Sequence, residues 1–376
     1  MGITRLANVT GLDYLGIPVV MATRPNGRSL SVSQGKGLDL DAAMTSAFME
    51  AAETFHAEQI EPTIRRARVA DIETEGGAID LSRLPRVRGR ELASNSEIAW
   101  TAGRYLDGGT PVWAPYEMVH TDYRLPLADT GGFFPLGSNG LASGNTIAEA
   151  TCAALSELIE RDAMTLWSHR SSVEKASRRI DPDSIDHDIC AGLIGRLTQR
   201  GMRVTVWDIT TDVGVPAFLC RMEDASDNSH ALGTAFYGSG CHVARDVAFS
   251  RAVTEAAQSR LTYIAGSRDD LTRRHYSHGA AESLLSFAFA AWERGFRPRN
   301  FGDVPDVQTD SFDGDLAVLL DSLRNAGITH VALVDLSRPD LQLPVVRVIA
   351  PGLEFIDDNP AYVPGERARR VMAERE

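Results

Sequence analysis

Gly137-Ser138-Asn139-Gly140-Leu141-Ala142-Ser143-Gly144-Asn145-Thr146, running on through an alanine-rich stretch to Leu155-Ser156-Glu157-Leu158-Ile159-Glu160-Arg161, decides how this chain is read. Glycines ahead of a helix leave free N–H groups and a partial positive charge facing outward, which is what cradling a phosphate requires. Ser138, Asn139, Ser143, Asn145 and Thr146 add side-chain donors, and Thr146 also suits a plain N-cap. Glu157 and Glu160 stand three residues apart, so they share one helix face and can aim their oxygens at one point.

The pattern occurs twice more. Gly35-Lys36-Gly37 leads to Glu50 and Glu53, and Gly238-Ser239-Gly240 leads to Glu255 and its near equivalent Gln258. These stretches are apolar on most sides, which marks internal helices, and an internal carboxylate is costly unless it is paired or binds a metal. Arg161, Arg251 and Arg260 could pair with some of the five, and salt-bridged helices are the competing reading. Taken together, the three segments favour a cation. Magnesium suits hard oxygen ligands shared with substrate phosphates, whereas catalytic zinc would want histidines, and none sits at ligand spacing here. Arg251, whose guanidinium is a planar fork of donors, suits a transferring phosphoryl group.

Several function classes are excluded. Gly35-Lys36 is followed by Gly37 where a P-loop needs Ser or Thr, and Leu40 and Val243 take the third glycine position of a dinucleotide fingerprint. The serine-hydrolase elbow is absent. Cys152, Cys190, Cys220 and Cys241 form no Cys-x-x-Cys and read as buried free thiols. Cys241 beside His242 invites a nucleophile-and-base reading, but adjacent residues usually point apart; His275 and His278 read as part of a solvated polar loop. A formal net charge of −13 argues against a nucleic-acid partner. No apolar run approaches the roughly 20 residues of a membrane span, and no basic-then-apolar leader is seen, so a cytoplasmic location is expected.

Strands and helices alternate, so the fold class is α/β, or interleaved α+β, as a single large domain over 1–376, with the first two acidic helices in 1–170 and the third in 171–376. The pattern predicts a hairpin over Pro18–Thr23 and Ser29–Gln34 and a helix from an Asp39 cap to Glu58. It predicts an irregular connecting or substrate-side loop over 71–85, strands at Ile98–Arg104 and Val112–Ala114, and a helix from Ile147 to Trp167. Beyond a polar hinge at Arg170 follow a helix over 185–200 and strands at 203–207, 217–221 and 232–237. A third long helix over 243–264 precedes helices at 281–293 and 316–325, strands at 330–336 and 344–349, and an exposed charged tail from Gly365. The three glycine-to-helix units, about a hundred residues apart, hint at related pieces.

Ser46-x-x-x-Glu50-x-x-Glu53, the Gly137–Ala150 run into Glu157-x-x-Glu160-Arg161, and Arg251-Ala252-x-Thr254-Glu255-x-x-Gln258-x-Arg260 together resemble the YcaO family. These enzymes use ATP to phosphorylate a peptide backbone amide oxygen so that a nucleophile can replace it. The resemblance spans nearly the whole chain. It implies ATP and Mg2+ as cofactors, with Glu50, Glu53, Glu157, Glu160 and Glu255 as metal ligands. Asn145, Glu149, Arg161, Arg251 and Gln258 would hold the nucleotide, with Ser46, Ser138 and Arg260 close by and Arg5 reaching the phosphates; Arg161 and Arg251 would stabilise phosphate.

Azoline-forming relatives often end in a proline-rich tail, whereas this chain ends Ala373-Glu374-Arg375-Glu376. The resemblance therefore leans toward the branch that works with TfuA-type proteins, with Gly266-Ser267-Arg268-Asp269-Asp270-Leu271 as a further cue. It implies a peptide or protein substrate, backbone thioamide formation, and a TfuA-like partner or sulfur donor. Azoline-forming cyclodehydration and a non-catalytic nucleotide-binding scaffold are the alternatives. Trp113, Tyr116, Phe133 and Phe134 are candidates for a peptide groove or a homodimer interface.

Overall fold

Pro25-Asn26-Gly27 interrupts two extended runs, and a hairpin forms across it. In this computed structural model, which describes residues 1–125, 131–225, 232, 235–271, 276, 295–355 and 362–374, strands β1 (Arg5–Asn8), β2 (Val19–Thr23) and β3 (Val32–Lys36) make an antiparallel sheet in that order. Helix α1 (Leu40–Glu58) follows, capped by the Asp39 carboxylate, which accepts Ala42 N–H.

Next come β4 (Ile64–Arg68), α2 (Val69–Thr74), β5 (Arg86–Val87), β6 (Glu97–Tyr105), β7 (Pro111–Pro115) and β8 (Leu141–Ser143). Thr146 caps α3 (Ile147–His169) by accepting Glu149 N–H. Then α4 (Ser172–Ser177), α5 (Asp188–Gln199), β9 (Met202–Asp208), β10 (Ala217–Asp224) and β11 (Phe236–Cys241) lead to α6 (Arg245–Ala265). The described chain closes with α7 (Phe312–Asn325), β12 (Ala332–Asp335), β13 (Val345–Ile349), β14 (Tyr362–Val363) and α8 (Glu366–Ala373).

The order β11-β10-β9 forms a second antiparallel sheet. A third runs β4-β6-β12-β13-β8, with β7 paired to β6, while β14 pairs β5. Helix α1 packs on β2 and β3, α3 on β8 and β13, and α6 on β10 and β11. The architecture is the mixed α/β class expected.

Three strand–helix units share one register. Glu50, Glu157 and Glu255 each stand ten residues beyond the first helical residue, Leu40, Ile147 or Arg245, and Glu53, Glu160 and Gln258 stand thirteen beyond. Glycine lets strand and helix touch. A Cβ on Gly35 would stand 2.0 Å from Ala47 N, and one on Gly240 would stand 2.2 Å from the Ala248 carbonyl oxygen.

The structure departs from several expectations. Residues 71–85 are not irregular throughout: α2 and a 3-10 turn at Leu81–Arg83 bury Ile72, Ile79 and Leu81 in the core beneath the large sheet. Apolar residues spaced along a polar stretch were enough to anchor it. The polar hinge after Arg170 contains α4, started by a capping box at Ser171 and Glu174. The helix expected over 185–200 begins at Asp188, after a 3-10 turn at Pro182–Ser184. The strand expected at 232–237 is β11, shifted to Phe236–Cys241, because Gly238-Ser239-Gly240 is extended rather than a turn. Gly137–Thr146 likewise contains β8.

The tail from Gly365 is exposed along most of α8, as expected, but it is docked through one face, where Arg367 and Ala368 are buried. Arg367 is buried and ion-pairs with Asp162 and Asp212, and Glu354 accepts Gly365 and Ala368 N–H. Trp113, Phe133 and Phe134 pack in or against the core of the large sheet, and Tyr116 stacks on His120 at 4.7 Å. The helix at 281–293, His275 and His278 lie outside the described residues. Among the described residues no helix is long and apolar enough to cross a membrane.

Candidate functional site

The first glutamate of each unit accepts an N–H from just ahead of its own helix. Gln34 N donates to Glu50 (2.9 Å), Gly140 N to Glu157 (3.1 Å) and Ser239 N to Glu255 (3.3 Å). The second position meets the strand of the next unit. Ser143 donates from N and Oγ to Glu53 (2.9 and 2.5 Å), and Ser239 Oγ donates to Glu160 (2.7 Å). Gln258 Nε2 donates to Gln34 Oε1 at 3.5 Å and closes the ring. The three units therefore meet around a common junction, in which the five predicted glutamates are gathered from two halves of the chain.

Among the described residues two cations form ion pairs with them. The Arg161 guanidinium lies 3.6 Å from Glu157 and 3.7 Å from Glu160, and Lys36 Nζ lies 2.5 Å from Glu255. Arg268, Arg347 and Arg251 act on Glu50, Glu157 and Glu255 from further off, yet Glu50, Glu53 and Glu157 are still raised. Burial pushes the Glu53 carboxyl up to about 8, and the neighbouring charges of Glu50 and Glu157 raise it against the Ser143 bonds. Glu50 is raised by burial and by Glu157, against the Gln34 N–H, Arg268 and Lys36. Burial raises Glu157 as well, with Arg161 opposing and Glu160 adding to the rise. At Glu255 burial is outweighed by Lys36 and Arg161, which hold it well below the usual carboxylate range.

Other predicted residues fall into place unevenly. Asn145 donates from N and Nδ2 to Glu149 (2.8 and 2.9 Å) at the head of α3. Ser46 is half-buried on α1, one turn before Glu50, while Ser138, Arg251 and Arg5 are exposed, Arg5 at the start of β1. Arg260 is not gathered with the glutamates: it is 3% exposed and paired with Asp13 and Asp224, so its charge is spent tying α6 to the N-terminal segment. Cys241 is 1% exposed and burial pushes its thiol far up, while burial lowers His242, which accepts Ala244 N–H; neither is poised as a nucleophile.

Sequence reasoning missed Gln34, Lys36, Ser143, Ser239 and Arg268 as neighbours of the carboxylates. A usable signal was the polar residue held between two glycines in Gly35-Lys36-Gly37 and again in Gly238-Ser239-Gly240.

The donor set fits magnesium shared with a triphosphate. It is all-oxygen, and carboxylates raised by burial and mutual repulsion are those whose ionised form a divalent cation favours. Among the described residues no three His, Cys, Asp or Glu side chains close into a metal cage. Magnesium seldom needs one, since it takes one or two carboxylates and completes its shell with water and phosphate. None of the glutamates lines the surface concavities at Asp181 and Arg297 (about 360 Å³) and at Ile17 and Ile189 (about 300 Å³), so the junction's claim to function rests on its chemistry.

Residues 34–354 match the family model for YcaO cyclodehydratase, ATP- and Mg2+-binding. The chain belongs to the YcaO family. A protein in the tfuA 3′ region of Rhizobium leguminosarum bv. trifolii, itself uncharacterized, is 40% identical over 375 residues, covering 96% of this chain and 86% of that one. An uncharacterized protein of Methanothermobacter thermautotrophicus is 35% identical, covering 98% and 94%.

Solved YcaO-type structures share the fold. A heterocyclase in complex with substrate and cofactor superposes with a TM-score of 0.78 at 24% identity, covering 94% of this chain; the chain spans 50% of that longer protein. The YcaO of Methanopyrus kandleri bound with AMPPCP and Mg2+ gives 0.69 at 22% identity, covering 94% and 86%. As a YcaO protein, the chain is a member of a family that binds ATP and Mg2+.

Proposed function

We propose that this chain is an ATP- and magnesium-dependent enzyme that activates a peptide backbone amide for replacement of its oxygen by sulfur, working with a TfuA-like partner or another sulfur donor. The five glutamates Glu50, Glu53, Glu157, Glu160 and Glu255 hold magnesium. Bound magnesium supplies neutralisation of the charge spread over the γ-phosphate.

Arg161, fixed between Glu157 and Glu160, faces the transferring phosphoryl group, and Arg251 at the exposed side of α6 contributes a second guanidinium. Asn145, Glu149 and Gln258 hold the nucleotide, with Ser46 and Ser138 beside it and Arg5 at the phosphates. Arg260 keeps its structural pairing. The amide oxygen attacks the γ-phosphorus and ADP leaves; sulfide then adds to the imidate carbon and phosphate leaves with the former amide oxygen.

The observation that carries the choice of sulfur is the 40% identity to a protein from a tfuA 3′ region. The chain's own thiols do not compete for the sulfur-carrier role, because all four cysteines are buried. Sulfur therefore arrives as free sulfide or on the partner.

The test incubates the chain with peptide, partner, ATP, magnesium and sulfide and reads the product by mass spectrometry. A sulfur-for-oxygen mass change supports the proposal, whereas loss of water supports azoline formation, the reading favoured by the likeness to a heterocyclase. Peptide- and partner-dependent release of ADP or AMP rules out a non-catalytic scaffold. The metal assignment is tested separately with Glu157→Gln/Glu160→Gln: unchanged affinity for Mg·ATP in that double variant would defeat it.

A further inference from the structure

Strand β3 lies between two helices. Gly35 faces α1, so Gln34 and Lys36, on the alternate face of the strand, point toward α6. Gln34 Oε1 accepts bonds from Thr262 Oγ1 and Gln258 Nε2, and Lys36 Nζ meets Glu255 Oε2 at 2.5 Å. Glu255, Gln258 and Thr262 fall on one face of α6 at spacings of three and four residues. The other oxygen of Glu255, Oε1, accepts Ser239 N–H at 3.3 Å, while the Ser239 hydroxyl gives its proton to Glu160. Lys36 therefore covers the oxygen of Glu255 that Ser239 N–H leaves open, at a pair whose side chains are only 16% and 24% exposed.

We propose that Lys36 is a positioning residue that occupies Glu255 until a divalent ion displaces it, and then turns its ammonium to the triphosphate, coupling metal and nucleotide binding through one side chain. The proposal rests on the magnesium-nucleotide reading above. An ammonium and a divalent cation repel each other at a single carboxylate oxygen, so the ion must evict the lysine. Four rotatable methylenes let the freed group swing, and a compact point charge serves phosphate well. The nucleotide offers the displaced charge a new partner, so each ligand favours the other by the same factor.

The test uses the whole chain. Free Mn2+ is followed by electron paramagnetic resonance with and without AMPPCP, each against a protein-free blank because AMPPCP itself chelates Mn2+, for wild type, Lys36→Gln and Lys36→Arg, with circular dichroism to check folding and Lys36→Met in reserve should the glutamine variant not fold. Lys36→Gln is expected to bind Mn2+ alone about tenfold more tightly than wild type, because one competing unit charge is gone. The gain in Mn2+ affinity on adding AMPPCP is expected to shrink by about the same factor, while Lys36→Arg stays near wild type. Equal or weaker binding of Mn2+ alone by Lys36→Gln overturns the role of Lys36. No uptake of Mn2+ by wild type beyond the protein-free blank, even with AMPPCP, overturns the underlying magnesium-nucleotide reading instead.

Discussion

Glu53→Gln is expected to stabilise the ligand-free protein at alkaline pH and to do little at acid pH. The folded carboxyl is pushed from the ordinary 4.5 to about 8 by burial and by Glu50 and Glu157. A carboxyl with a raised folded value binds more protons folded than unfolded between those limits, so stability falls as pH climbs from about 4.5 to 8. At about 1.4 kcal/mol per pH unit the interval sets a ceiling of about 5 kcal/mol, and local water and side-chain relaxation bring the expected effect to about 2–4 kcal/mol. Glutamine mimics the protonated acid, and its carbonyl can still accept both Ser143 bonds. Urea unfolding at pH 5 and pH 8, without nucleotide or divalent ions, measures it. A variant less stable than wild type at pH 8, or a gain equal at both pH values, would refute the electrostatic account of the junction.

Arg367→Met should cost about 3–5 kcal/mol, because it strands the fully buried Asp162 carboxylate; adding Asp162→Asn should recover most of that loss in the same unfolding assay. Gly35→Ala should cost more than about 3 kcal/mol or prevent folding, since its Cβ meets helix backbone at 2.0 Å. Gly192→Ala, in α5 with open space around it, should instead stabilise by about 0.5–1 kcal/mol; melting temperatures of the pair decide. Burial pushes all four thiols up, so iodoacetamide at pH 8 should label none in the folded chain and all four in urea, as counted by mass spectrometry.

Much of the site was legible because helix geometry is local. Spacing of three residues put Glu50 with Glu53 and Glu157 with Glu160 on shared faces, and the caps at Asp39 and Thr146 form where short polar side chains precede alanine-rich runs. Strand limits were harder. Gly238-Ser239-Gly240 and the glycine-rich stretch around Leu141–Ser143 look like turns in isolation, yet both contain strand, and Gly238, Gly240 and Gly144 let a helix lie against them.

The docked tail depends on a partner far away in sequence: Arg367 finds Asp162 on α3. Nothing near either residue announces the other. The same holds for Arg260, whose pattern position suggested the nucleotide but whose charge is absorbed by Asp13 and Asp224.

What the amino-acid order determined by itself was the set of acidic helix faces, their glycine leaders and hence the kind of ion they call for, since these follow from periodicity and from the cost of burying charge. Only the tertiary structure decided which strand answers which helix, that the three units close into a ring, and that Lys36 rather than a surface arginine holds Glu255. Those pairings join residues dozens to hundreds of positions apart, and their energies depend on distance and burial that no local pattern encodes.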